Sequence, residues 1–319
     1  MRIAFTSCFS AQLFAQQAVW DEIAAANPDV LVLLGDSIYL DVGGPYGSLG
    51  VQGLTENAFA EHAHSLYAQQ VAQEQFKTLV QRPSLTTYAI WDDHDFLWDN
   101  ACGANVMKSP ALRPLVYPSR ALFAAWRRAL ALRLAPGSYP PAPPFWDDNT
   151  PAPGYSCVPL GSGVFLHLTD GRSFRKGRGG RAALLGMPQL DAVEAAMAAA
   201  PAGATHLLAS GSVFDASGSE SWLNCPAEYD RLQRMAQTHN ILILSGDIHD
   251  NNLASYALSA GRNLFEATAS GAAVRTKVVI GAMQRNYGLL DIDDVRVGIS
   301  LFKSGAHQYH GSINRTTWQ

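Results

Sequence analysis

Short apolar runs recur along the chain, and five of them stop at a tight cluster of polar side chains. The runs are MRIAFT at 1–6, VLVLL at 30–34, TTYAIW at 86–91, VFLHLT at 164–169 and ILILS at 241–245. The clusters that end them are TSC (6–8), GDSIYLD (35–41), WDDHD (91–95), TDGRSFR (169–175) and SGDIHDNN (245–252). A short continuous apolar run such as VLVLL is the mark of a strand buried on both faces, as in a parallel sheet covered by helices. THLLAS at 205–210 reads as a further strand. Helical patterns fall between these strands at 11–26, 57–80, 119–133, 188–200 and 227–239. In such α/β sheets ligands bind beyond the carboxyl ends of the strands, so the polar clusters are expected to converge on one edge.

Beyond about residue 263 the pattern changes to short segments with turns, LFEATAS, YGLLDID and VRVGISLF, which predicts a β-rich C-terminal part. There is no internal repeat or charge run, and residues 1–319 are expected to form a single domain. One segment stands apart. Residues 136–153 hold seven prolines, which exclude helix and inner strand. Tyr139, Phe145 and Trp146 give that segment something to bury, so it reads as an ordered surface excursion, placed where substrate selectivity would be set.

Charge narrows the partners. Lys+Arg 23 against Asp+Glu 27 gives a net charge of -4, which argues against sequence-independent binding to nucleic acid and leaves small anionic ligands open. No apolar run approaches the ~18 residues of a membrane span, so no membrane partner is expected. The start MRIAFTSCFSAQ lacks the pattern of an export signal, which suggests a cytoplasmic protein, or an exported one if a leader has been removed. Cys8, Cys102, Cys157 and Cys225 are too few and scattered for a disulfide framework, and suit a reducing compartment with one of them as a ligand.

The chemistry lies in the strand-end clusters. Gly35 allows a sharp turn before Asp36, and the Tyr39 phenol is close enough to reach the same ion. WDDHD crowds Asp92, Asp93 and Asp95 around His94, a density of carboxylate that is costly without cations. Asp247 and His249 are two residues apart and can approach two neighbouring ions. Mixed oxygen, nitrogen and sulfur donors favour a transition metal, and carboxylate-rich surroundings suit Ca, Mg or Mn. Two ions sharing one carboxylate form the two-metal arrangement used in phosphoester hydrolysis.

In this order (strand-C, strand-GDxxY, strand-DDH, strand-DxR, strand-GDxH) the chain resembles the PhoD-like phosphatases of the calcineurin-like metallophosphoesterase superfamily. IAFTSCF, LLGDSIYLD, IWDDHDFLWDN, HLTDGRSFR, MPQLDAVE and ILSGDIHDNN carry the resemblance, with FEATASGA and NYGLLDID as weaker support. It implies a four-layer α/β/β/α sandwich and a metal-dependent hydrolase of small phosphomonoesters or phosphodiesters, acting through a metal-bridging hydroxide. It further implies that Cys8, Asp36, Tyr39 and His249 hold a first metal, ferric iron. Asp36 would bridge to a second, calcium, held also by Asp93 and Asp247, with Asp92 serving an auxiliary cation. Zn, Mn or Mg are alternative occupants. His94 takes the catalytic histidine's position beside the second metal and would protonate the leaving oxygen; Arg172 would clamp the phosphate.

The superfamily's further histidine ligand has no counterpart: His206 lies at the wrong end of its strand, with Ser210 and Ser212 at the finish. This loss supports a harder second ion. His62 and His64 do not share a helix face, and His167 reads as a satisfied sheet residue. Two alternatives remain. Aromatic residues Trp98, Phe145, Trp146 and Trp222 would favour a neutral phosphotriester, and a non-catalytic metal- or phosphate-binding protein belongs to another class. His94 argues against the latter, since a binder needs no acid.

Overall fold

The computed structural model describes residues 1–43, 46–177, 182–215, 220–259 and 261–319. Its strands, in chain order, are β1 (Arg2–Thr6), β2 (Val30–Leu34), β3 (Thr86–Ile90), β4 (Ser156–Gly161), β5 (Val164–Leu168), β6 (Thr205–Ser210) and β7 (Asn240–Ser245). There follow β8 (Asn251–Ala257), β9 (Asn263–Ala269), β10 (Arg275–Lys277), β11 (Ile280–Met283), β12 (Asn286–Ile292), β13 (Arg296–Lys303) and β14 (Ala306–Asn314). One six-stranded sheet has the order β14-β13-β12-β1-β2-β3 and the other β4-β5-β6-β7-β9-β8. β1, β2 and β3 are parallel, in register through Phe5, Val32 and Tyr88, as are β5, β6, β7 and β9 through Leu166, Leu207, Leu242 and Phe265.

The alternation within β2 shows how the layers stack. Val30, Val32 and Leu34 point between the sheets, where they meet Leu166, Leu207, Leu242 and Leu244. Leu31 and Leu33 point outward against Trp20, Phe59, Phe76 and Trp126 of the helices on that side. The second sheet turns Leu208, Ile241 and Ile243 outward against Leu190 and Val193 of helix Met187–Ala199 and Leu232 of helix Pro226–Ala236. The result is four layers, α/β/β/α, with β12, β13 and β14 completing the first sheet and β10 and β11 forming a two-stranded sheet of their own. Gly288 allows close packing here, because a Cβ on it would collide with the ring of Phe5 on the neighbouring strand.

Three expectations need correction. The helix expected over 11–26 covers only Val19–Ala25. Residues before it are held in turns by side chains, with Gln70 accepting from the Ala11 N–H at 2.9 Å and Gln75 from the Gln17 N–H at 2.7 Å. The single helix expected over 57–80 is two, Glu56–Ala72 and Glu74–Val80. Gln73 breaks it, extended at ψ 118, and its side chain accepts the Phe76 N–H at 2.6 Å as the cap of the second helix. In the Pro-rich segment Tyr139 stacks on His64 at 5.1 Å and Trp146 packs on the helical core, but Phe145 is 87% exposed. The segment's described contacts run to the outer helices, through His64, Glu56 and Arg120, and not to the strand ends. No helix among the described residues is long and apolar enough to cross a membrane.

Candidate metal centre

The strand ends of both sheets meet at one edge. Cys8 follows β1, Asp36 follows β2, Asp92–Asp95 follow β3, and Asp247 and His249 follow β7. Cys8, Asp36, Asp247 and His249 all have left-handed backbones, with φ of 63, 53, 72 and 52. Residues other than glycine rarely adopt this conformation, and it costs about 1–3 kcal/mol each, so its clustering here marks a functional constraint. Two glycines let the turns close on one another. A Cβ on Gly246 would lie 2.6 Å from Ser7 Oγ, and one on Gly211 would lie 2.5 Å from Asp92 Cγ.

Three adjoining groups of side chains could each hold an ion: Cys8, Asp36 and His249; Asp36, Asp93 and His94; Asp92, Asp93 and Asp247. Within each, the ligand atoms lie within 4.8 Å of one another, and Asp36 and Asp93 each belong to two of the groups, Asp36 alone joining them to Cys8 and His249. Cys8 Sγ is 3.3 Å from Asp36 Oδ2. The Tyr39 hydroxyl joins the first group, 3.4 Å from Asp36 Oδ2 and 3.1 Å from His249 Nε2. Every candidate ligand expected from the sequence therefore lies in one contiguous cluster.

The electrostatics fit cations. Burial and the neighbouring acidic groups push Asp36, Asp247 and Tyr39 well above their ordinary values, and burial drives the Cys8 thiol to about 11. So many acidic groups do not ionise together without positive charge to balance them. Burial also raises Asp92, whereas in Asp93 the Arg172 guanidinium and His94 outweigh burial and hold the carboxyl below its usual range. Asp36 Oδ1 and Asp92 Oδ2 are buried with no hydrogen-bond partner among the described residues. Buried acceptors of this kind are rare and need a ligand to explain them.

Arg172 is completely buried, with Nε 2.6 Å from Asp92 Oδ1 and Nη2 3.6 Å from Asp93 Oδ1. Its Nη2 is also 2.7 Å from Glu220 Oε2, and its Nη1 has no partner among the described residues. His94 is buried beside Tyr39, their ring centroids 4.3 Å apart. Burial lowers its pKa, but Asp93, Asp36 and Asp41 more than offset this and raise it well above the ordinary value.

Several residues of the site were not singled out in the sequence. Asp41 bonds His94, and Asp95 accepts the Ser37 and Asp92 N–H groups at 2.7 and 3.0 Å, tying the two acidic turns together. Both lie inside the quoted clusters, where four aspartates beside one histidine cannot be sorted by spacing alone. Ser270, at the end of β9, is 3.2 Å from Cys8 Sγ and accepts the His249 N–H at 2.9 Å. Glu220 carried no sequence signal, since it follows a loop with no motif.

The side chains set aside in the sequence are engaged elsewhere. His206 Nδ1 is 3.0 Å from His167 Nε2, and His167 Nδ1 bonds the Tyr155 hydroxyl at 2.7 Å. His62 and His64 bond backbone carbonyls of Leu40 and Pro140. Ser210 accepts the Trp222 indole N–H at 3.0 Å, and Ser212 takes a guanidinium donor of Arg175. Trp98 and Trp222, which would favour a neutral phosphotriester, are both packed into the core.

A sequence profile of the PhoD-like phosphatases matches residues 3–289. No curated protein matches the chain. Among solved structures, one of PhoD is similar at 17% identity and a TM-score of 0.67, covering 98% of this chain and 68% of that one. A dimetal phosphatase from Danio rerio is similar at 10% identity and a TM-score of 0.56, covering 99% of each chain. The structural likenesses establish the metallophosphoesterase type of fold, and the profile spans nearly the whole sequence: the chain belongs to the PhoD-like phosphatase family, whose members are metal-dependent phosphoester hydrolases.

Proposed function

We propose that the cluster holds two metal ions that share Asp36, and that the protein hydrolyses small phosphomonoesters or phosphodiesters by attack of water on phosphorus. The observation that carries this reading is the membership of Asp36 in two adjoining ligand groups, with one of its oxygens buried and unpartnered among the described residues. Cys8, Asp36, Tyr39 and His249 hold the first ion; Asp36, Asp93 and Asp247 hold the second, with Asp92 available to it or to an auxiliary cation. A thiol, a phenol and an imidazole around one position suit a transition metal, and ferric iron is our assignment. The all-carboxylate group Asp92, Asp93 and Asp247 suits a hard cation, for which we assign calcium. When bound, such ions lower the pKa of water and neutralise charge on phosphoryl oxygens.

The chain's own side chains supply the rest. Arg172 orients the phosphate as a planar donor that is always charged, and its unpartnered Nη1 leaves it a hydrogen bond to give. Asp41 holds His94 by Nδ1, leaving Nε2 as the nitrogen that gives a proton to the departing oxygen. Gly211 and Gly246 keep the turns tight around the acidic cluster.

Elemental analysis of protein purified without added metal, with a visible spectrum, tests the reading. Iron bound through the Tyr39 phenolate gives a charge-transfer band, and colourless protein containing only zinc or manganese contradicts the iron assignment.

A further inference from the structure

Glu220 lies beside the site, and its carboxylate pairs with two guanidinium groups. Its Oε2 is 2.7 Å from Arg172 Nη2 and also pairs with Arg175 Nη1. Asp92 and Asp93 lie 2.6 and 3.6 Å from the same Arg172 guanidinium. Glu220 and Arg175 also line a cavity of about 150 Å³ together with Asn100, Cys102 and Cys225. The Asn100 N–H donates to Asp93 Oδ2 at 2.7 Å, so this cavity begins where the acidic cluster ends. A substrate group beyond phosphorus has room there, next to Arg175 and Glu220.

We propose that Glu220 is a specificity-determining residue that disfavours doubly charged phosphomonoesters relative to singly charged phosphodiesters. The proposal rests on the reading of Arg172 as the partner of the phosphate. Arg172 and Arg175 offer two positive charges, and Glu220 cancels one of them. A phosphodiester carries one negative charge and is repelled less by the Glu220 carboxylate. A monoester approaches two negative charges above its second ionisation near pH ~6. Bound ions favour the doubly charged ester to the same extent in the wild type and the Glu220 variant, so they drop out of the change in the ratio on substitution. Selectivity is a difference between affinities, and a like charge held near the disfavoured ligand is enough to create it.

Rates of the metal-loaded enzyme at pH 8 on nitrophenyl phosphate and bis(nitrophenyl) phosphate test the proposal. Glu220→Gln should raise the monoester-to-diester ratio of kcat/KM by about tenfold or more, and inorganic phosphate should inhibit it correspondingly better. Glu220→Asp should return the ratio toward that of the wild type. Arg175→Gln removes a positive charge and should move the ratio the other way, which keeps the idea testable if Glu220→Gln does not fold. Equal losses on both esters would assign Glu220 a purely structural role and overturn the proposal, as would a ratio unmoved by Arg175→Gln. Wild-type protein inert toward both esters would contradict the hydrolase reading instead. Phosphate affinity measured by calorimetry then decides for Glu220: tighter binding by Glu220→Gln supports its role, and unchanged binding overturns it.

Discussion

His94 Nδ1 lies 2.6 Å from Asp41 Oδ1, and the other Asp41 oxygen accepts the Asp99 N–H at 2.8 Å. The pair joins the turn after β2 to the turn after β3, and it fixes the imidazole beside Asp36 and Asp93. A carboxylate in this position orients the ring and stabilises its protonated form. Asp41→Asn should therefore slow esters with poor leaving groups by about tenfold or more while leaving metal content intact. An unchanged rate on an alkyl ester would show that the pair is only structural.

His94 itself makes a sharper case. Removing a general acid costs about 10²–10⁴ in rate when the leaving group needs a proton. Nitrophenolate leaves readily as an anion and an alkoxide does not. His94→Ala should slow an alkyl ester far more than a nitrophenyl ester. Equal losses on both would mean that His94 acts by position or charge and not by proton donation.

The first ion should answer to its softer donors. Tyr39→Phe removes the phenolate and should abolish the visible band while iron stays bound. Cys8→Ser should deplete the first ion and largely spare the second. Metal analysis of both variants beside their spectra reads the difference, and a band that survives Tyr39→Phe would exclude the phenolate as its source.

Stripping the metals should reverse the usual dependence of stability on pH. Burial raises Asp95 to about 7 and lifts Asp36 and Asp247 well above the ordinary carboxylate value. A group whose folded pKa is raised stabilises the fold below its unfolded pKa and loses that contribution as pH climbs through the folded value. His167 and His206, lowered by burial to about 3 and about 4, act in the opposite sense only below their unfolded values near 6.5. Between pH 6.5, above which these histidines no longer oppose, and about 7, the value of Asp95, the Tm of chelated protein should fall, and added metal should flatten the slope. A Tm of the stripped protein that rises across this window would contradict the account.

Much of the layering was legible in the sequence because β2 is buried on both faces, and VLVLL records that directly. The ligand side chains were legible for a related reason: each follows a strand whose end the apolar run marks. What escaped was set by long-range packing. Gln73 breaks a continuous helical pattern through a side-chain cap, which the apolar spacing of 57–80 does not reveal. The sequence groups Trp222 with aromatic residues that would favour a neutral phosphotriester, yet its indole is turned into the core toward Ser210. The motif that marks Arg172 as a phosphate clamp does not reveal that Asp92, Asp93 and Glu220 also engage it.

Gly211 offers a test of how tightly the second ion's ligands are held. An alanine there would place its Cβ against the Asp92 carboxyl, and the neighbour is a side chain with little room to withdraw. Overpacking of this kind costs about 1–3 kcal/mol. Gly211→Ala should lower stability and reduce occupancy of the second ion more than the first. Normal content of both ions would show that Asp92 is not needed for either.

The account stands on Asp36 as the carboxylate common to both ions. Metal content and ester hydrolysis of Asp36→Asn, measured beside the wild type purified in the same way, address it most directly. The account predicts two tightly bound ions per chain in the wild type, and loss of both ions and of activity in the variant. Retention of both ions at full occupancy, with an undiminished rate, would contradict it.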